Sequence, residues 1–142
     1  MISLVCSNYN SEKYINNYLK YLDDQTLREF EVIFVDAQST DSSLDTIKNH
    51  KFRDGISVKI IESESRISIY EAWNVGITNS SNDYVMNYNT DDKLYPNALD
   101  VFVNKINENP DADLIYGNCV ISQSLITAAY LQLLIPNPCA GL

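Results

Sequence analysis

Two adjacent carboxylates, Asp91 and Asp92, follow the apolar run Tyr84–Tyr88. Neighbouring carboxylates repel, and they relieve the repulsion by taking up a proton or a cation. Hard oxygen ligands suit Mg²⁺ or Mn²⁺, which keep several waters and complete their shell with substrate phosphates. The same pair also fits a solvated turn, with an acid placed well for the dipole of a helix starting near Pro96. Asp36 ends a second apolar run, Glu31–Asp36, and opens a loop rich in Ser, Thr and Asp. It can cap the next helix through an Asx-type bond, or accept a hydrogen bond from a base or ribose. Tyr9, in the polar cluster Ser7–Asn10, offers a ring face to a nucleobase, a contact that contributes roughly 1–3 kcal/mol. Ten tyrosines in the chain mean that most of them are structural. Trp73 shares a helix face with Ile69 and Ile77 and reads as core, whereas Glu71 points either to the rim of the fold or to solvent. His50 has no Ser, Cys or second His beside it and reads as a surface residue.

The background against which these residues act is acidic. Ten basic and nineteen acidic side chains give a net charge of −9 in 142 residues, which argues against a surface for nucleic acid. A phosphate ligand in such a chain favours a bridging cation. The four glycines (55, 76, 117 and 141) are too sparse for a GxGxxG or Walker A loop, so the grip on a nucleotide is not a glycine cradle. Cys6, Cys119 and Cys139 lack metal-ligand spacing and read as reduced thiols of a cytoplasmic protein, Cys6 and Cys119 as core fillers. The N-terminus has no basic region of the kind a signal peptide needs, and no apolar run approaches the roughly 20 residues of a membrane span.

Strand and helix signals alternate along the chain. Ile2–Cys6, Glu31–Asp36, Val58–Glu62 and Tyr84–Tyr88 are short apolar runs ending at polar clusters. Between them lie helical patterns: one capped by Ser11 with Tyr14, Ile15, Tyr18, Leu19 and Leu22 inward; one after Ser39–Ser42 with Leu44, Ile47 and Phe52; and one starting at Ser68. Pro96 suits the first turn of a helix carrying Leu99, Phe102, Val103 and Ile106. Asp113–Tyr116 and Cys119–Ile121 read as further strands, and Gln123–Ile135 as an apolar, weakly helical stretch. This order implies an α/β fold, a mostly parallel sheet with helices on both faces. Ligands of such sheets gather outside the carboxyl ends of the strands, where Ser7–Asn10, Asp36–Thr40 and Asn89–Asp92 all fall.

Taken together, five segments resemble family 2 glycosyltransferases of the GT-A fold, whose nucleotide-binding half is Rossmann-like. Ile2–Asn10 (ISLVCSNYN) is similar to the opening strand and its TYN turn, and Glu31–Ser43 (EVIFVDAQSTDSS) to the VDDGSTDGS segment. Ile69–Ile77 (IYEAWNVGI) resembles IYDAMNKGI. Asp83–Pro96 (DYVMNYNTDDKLYP) resembles the block that carries the DXD-type metal motif, and Ala112–Val120 the ADVVYGDV strand after it. The resemblance implies inverting transfer of a sugar from a UDP-, GDP- or dTDP-sugar to a saccharide acceptor, with Mg²⁺ or Mn²⁺, as in surface polysaccharide synthesis. It places Ser7 and Tyr9 at the nucleobase and Asp36 on the base. Asn89 stands at the first position of the DXD motif, and Asp91 and Asp92 share the ribose and the metal–diphosphate. Glu71 falls near the sugar or nucleotide. Ala37-Gln38 departs from the family's DG, Asn89 from its first Asp, and Ser68 from its Gly before IYD.

The expected organisation is a nucleotide-sugar-binding domain over residues 1–121 and an unassigned segment over 122–142. The acceptor-binding half, which carries the general base in this family, is expected beyond this region. A non-catalytic descendant that binds a sugar nucleotide, or acts through a partner, is the alternative. A phosphotransfer receiver is disfavoured, because Ser7-Asn8 and Glu62-Ser63 stand where that class needs acids. A sheet edge or face left uncovered drives association, so a homodimer, or packing of the C-terminal stretch Leu125–Ile135 over it, is expected. Sedimentation at high protein concentration tests the homodimer, and a monomer there would count against it.

Overall fold

The computed structural model describes residues 1–117 and the backbone strand 134–136. Four strands of the sheet run parallel: β1 (Ile2–Asn8), β2 (Phe30–Asp36), β3 (Ile56–Glu62) and β4 (Tyr84–Asn87). They alternate with the helices α1 (Glu12–Asp23), α2 (Ser43–Asn49), α3 (Ile69–Thr78) and α4 (Ala98–Glu108). A short strand, β5 (Leu134–Pro136), adds antiparallel to β4, giving the order β3-β2-β1-β4-β5. The expected mostly parallel α/β sheet is therefore present. Its strand order reverses at β1, which pairs with β2 on one side and β4 on the other.

Both faces of β1 and β2 are covered, which is why these strands are almost continuously apolar. One core joins Ile2, Leu4, Phe34 and Met86 to α1 residues Ile15, Tyr18, Leu19 and Leu22. The other packs Val5, Ile33, Val35 and Val85 against Ala72 of α3. The second layer needs a glycine: a Cβ at Gly76 would lie 2.2 Å from Cγ1 of Val5, so α3 rests on β1 through bare backbone.

Several local expectations change. Ser11 precedes α1, but its hydroxyl donates to Asn8 Oδ1 instead of capping the helix. Asp41 takes over that task, accepting from Glu12 N–H at 2.8 Å and from Ser43 N–H at 3.0 Å. Burial pushes the Asp41 carboxyl up, but the bonds from Ser43 and Glu12 outweigh it and leave the group below its ordinary range. Phe52 lies beyond α2 yet packs on the core. His50 is not a plain surface residue, since its Nε2 meets Asp23 at 2.8 Å and its ring stands edge-on to Phe52. Pro96 lies outside α4, one residue before the cap Asn97, and its carbonyl instead accepts Thr26 N–H at 2.7 Å.

Ile69 is 44% exposed and does not face inward. Asp113–Tyr116 forms no strand beyond a single bridge residue, Ile115. The place beside β4 is taken by Leu134–Pro136, so the stretch read as weakly helical ends extended. Cys119–Ile121, Gln123–Leu133 and Cys139 lie outside the described residues. Among the described residues, no helix is long and apolar enough to cross a membrane.

The amino-terminal ends of the strands are tied by one buried charge. Glu31, in β2, is 4% exposed. Its carboxylate accepts from Ser3 Oγ at 2.6 Å, Ser81 N–H at 2.8 Å and Ser81 Oγ at 3.0 Å, and pairs with Lys59 at 2.8 Å. Burial pushes this carboxyl up, but Lys59, Ser3 and Ser81 outweigh burial and hold it below its ordinary value of 4.5. A lowered folded-state pKa means that the stabilisation is complete above that ordinary value and is lost as pH falls through the lower, folded one. Unfolding free energies of the wild type and Glu31→Gln, from denaturant titration, should therefore differ by about 1–3 kcal/mol at neutral pH and converge in acid. A gap that persists unchanged at acid pH would refute this account.

Candidate functional site

At the carboxyl ends of the parallel strands, loops after β1, β2, β3 and β4 converge on a cleft of about 440 Å³. Its wall includes Ser7 at the end of β1, Tyr9 and Asn10 from the first loop, Ala37 from the second, Arg66, Ile67 and Ser68 from the third, and Asn89, Thr90 and Asp91 from the fourth. This is the crevice beside the reversal of strand order, where open α/β sheets bind ligands. A larger hollow of about 540 Å³ lies between α4 and residues 112–117, lined by Val101, Phe102, Leu114 and Tyr116 among others. Of the strand-end loops only the one after β4 reaches it, through Leu94, Tyr95 and Asn97, and among the described residues no carboxylate lines it, so the cleft is the candidate site.

The first two loops are held by a buried polar network. Asn8 Nδ2 donates to Asp36 Oδ1 at 2.7 Å and to Ser43 Oγ at 3.1 Å. Asp36 also accepts from Ser39 Oγ at 2.6 Å and from Ser39 N–H at 2.9 Å. Across the gap, Asn10 Oδ1 accepts from Thr40 N–H at 2.7 Å. Two side chains take left-handed backbone here, Asn10 at φ 49° and Gln38 at φ 62°. Gln38 stands where the resembling family has glycine, and the bend is kept at about 1–2 kcal/mol of strain. Its amide offsets part of that by donating to the Glu64 carbonyl at 2.6 Å, which links the second loop to the third.

The fourth loop hangs from Tyr88. That ring is buried and stacks on Tyr18 at 4.4 Å, while Tyr18 Oη donates to the Tyr88 carbonyl at 3.0 Å. Tyr88 Oη in turn donates to the Asp92 carbonyl at 3.2 Å and accepts from Leu94 N–H at 3.3 Å. This clamp separates the two acids. Asp91 is exposed and lines the cleft, whereas Asp92 is only 7% exposed and lies beneath it.

Ser7, Tyr9, Asn89 and Asp91 are thus brought together. Asp36 is 2% exposed and spends its oxygens on the loop network, so it lies behind the wall. Glu71 forms a capping box with Ser68, accepting Ser68 N–H at 2.7 Å while Glu71 N–H donates to Ser68 Oγ at 3.2 Å. Those bonds hold the Glu71 carboxyl below its ordinary range. Trp73 is only partly buried, and its Nε1–H reaches Asn89 Oδ1 at 3.4 Å.

One residue of the cleft escaped sequence reasoning. Arg66 places its guanidinium 3.5 Å from the centre of the Tyr9 ring. The available signal was a lone cation in the loop after β3, at the same rim as the acidic clusters. Among the described residues, no cluster of three His, Cys, Asp or Glu side chains could enclose a metal. Asp91 alone fits a cation that keeps waters and takes phosphate oxygens for the rest of its shell.

Comparison with known proteins agrees with this fold. The model of Glycosyl transferase family 2 matches residues 3–134. Glycosyltransferase GlyG of Streptococcus pneumoniae serotype 4 is 29% identical over 118 residues, covering 83% of this chain and 38% of that protein. The structure of S. aureus TarS 1–349 in complex with UDP superimposes with a TM-score of 0.73 at 27% identity, over 85% of this chain and 38% of that one. The mannosyltransferase PcManGT from Pyrobaculum calidifontis, in complex with GDP-Man and Mn²⁺, does so with a TM-score of 0.68 at 20% identity, over 85% and 35%. The last likeness speaks to the fold alone. This chain spans well under half the length of each relative.

Because Asp36 is buried among donors, Asp36→Asn turns one acceptor into an NH₂ group facing the Ser39 donors. It should destabilise the protein by about 1–3 kcal/mol, read as a lower denaturant midpoint. An unchanged midpoint would remove Asp36 from this structural role.

Proposed function

Because the chain belongs to glycosyl transferase family 2, we propose that the cleft binds the nucleotide diphosphate of a sugar donor, and that the whole protein transfers the sugar to an acceptor hydroxyl with inversion. The observation that carries this reading is the convergence of all four strand-end loops on one cleft, with Tyr9 and Asp91 both on its wall. In this reading the base stacks on Tyr9 with Ser7 beside it, and Asn89 and Asp91 face the ribose and diphosphate. The likeness to TarS, whose structure is in complex with UDP, supports a ligand of this class.

Asp91 would hold Mg²⁺ or Mn²⁺, with Asp92 supporting it from beneath. Such a cation neutralises the charge that builds on the leaving diphosphate. Asp36 and Glu71 contribute by shaping the loops: Asp36 holds the wall behind the base, and Glu71 fixes the start of α3 next to it. The general base, which takes the proton from the acceptor hydroxyl, is assigned to the acceptor-binding part and lies outside residues 1–121. β5 pairs with β4 and covers that edge of the sheet, and the homodimer stands as a proposal for sedimentation to decide.

A second reading, donor binding without transfer, draws on Ala37 and Asn89, which leave Asp91 as the one carboxylate on the cleft wall among the described residues. Sugar transfer to any acceptor would exclude it. Calorimetry with UDP, GDP and dTDP, with and without Mn²⁺, tests the donor site itself. One of the three should bind in a metal-dependent way, and Asp91→Asn should weaken that binding roughly tenfold, the loss of about one charge-assisted contact. No metal-dependent binding by any of them would sink the proposal.

A further inference from the structure

Arg66 is, among the described residues, the one cation on the cleft wall, in a chain of net charge −9. Among the described residues no carboxylate lies within ion-pair distance of it, although acids outnumber bases almost two to one. Its guanidinium lies instead over the Tyr9 ring, 3.5 Å from the centroid. Both residues line the cleft, and Tyr9 is 38% exposed. A nucleobase that stacks on this face of Tyr9 meets a planar cation already resting there. A base and a guanidinium compete for such a face, since both are flat and both are drawn to the π-electrons.

We propose that Arg66 determines the specificity of the cleft for diphosphates: the base displaces the guanidinium from Tyr9, and the guanidinium regains its loss by moving to the diphosphate. This rests on the reading of the cleft as a nucleotide-sugar site. A planar guanidinium binds phosphate oxygens in a two-pronged fashion, which an ammonium cannot reproduce. Arg66 sits in the loop between β3 and α3, exposed and without a second anchor, so its side chain can leave the ring without disturbing the sheet. A nucleoside must break the Arg66–Tyr9 contact and offers nothing in return. A nucleoside diphosphate breaks it and supplies the anion. The cleft thus discriminates by charge without a glycine cradle, and Arg66 shares the diphosphate with the cation at Asp91.

The test is calorimetry of the full chain with UDP and uridine, and with GDP and guanosine, at constant Mn²⁺, for the wild type, Arg66→Ala and Arg66→Lys. Circular dichroism of each variant confirms that it folds. In Arg66→Ala, affinity for the preferred diphosphate should fall roughly tenfold, the loss of a charge-assisted contact. Affinity for its nucleoside should rise roughly two- to fivefold, the release of an exposed cation–π contact. Arg66→Lys should keep part of the diphosphate affinity, because the charge remains. Changes of opposite sign are the signature, since a residue that merely shapes the wall would lower both affinities together. Equal losses, or no change in either ligand, would overturn the role of Arg66 and leave the donor site standing. If the wild type binds none of the four ligands, the donor site and the role of Arg66 fall together.

Discussion

The hydrogen bond from Asn8 to Asp36 is the constraint on which the rim depends. β1 and β2 run parallel and end level, with Asn8 in register with Asp36. Two loops must leave the sheet there, each with backbone groups that the ladder no longer satisfies. A buried amide and a buried carboxylate, 2.7 Å apart, answer that demand. Ser11, Ser39 and Ser43 complete the network, so the loops carrying Tyr9 and Ala37 are positioned by the same few atoms. A buried polar network of this kind is costly when half satisfied and specifies a single arrangement when complete.

The opposite end of the sheet is built on the same principle with a different charge. Glu31 gathers Ser3, Lys59 and Ser81, and so joins β1, β2, β3 and the approach to β4. Between these two polar ends lies the apolar body, with the Tyr18–Tyr88 stack on one side and Gly76 against Val5 on the other. Rigidity of this body lets the carboxyl-end loops act as a site. Tyr88 converts core packing directly into site geometry, because the ring that fills the core also holds the loop of Asp91.

Position relative to that loop decides the fate of the acidic pair. Two identical neighbours in sequence become one exposed residue on the cleft wall and one buried residue beneath it. Among the described residues the cleft wall then carries one carboxylate, Asp91, and one guanidinium, Arg66, inside an acidic protein.

Much of this was legible in the residues alone. Continuous apolar runs at Ile2–Cys6 and Glu31–Asp36 require strands covered on both faces, and the intervening 3.6-residue patterns require helices, so the parallel α/β order followed from burial. Ser7, Tyr9, Asn89 and Asp91 were placed on the rim because polar clusters at strand ends must lie there. Tertiary structure alone decided what depends on partners distant in sequence. Asp36 and Ser11 answer to Asn8, Glu12 to Asp41, and Trp73 to Asn89, so their local capping or packing signals could not assign them. Arg66 reads as an ordinary surface cation until the fold brings the loop after β3 against Tyr9. Periodicity determines which face of an element is buried, whereas the contacts of a side chain on the rim are set by whichever loop the topology brings beside it.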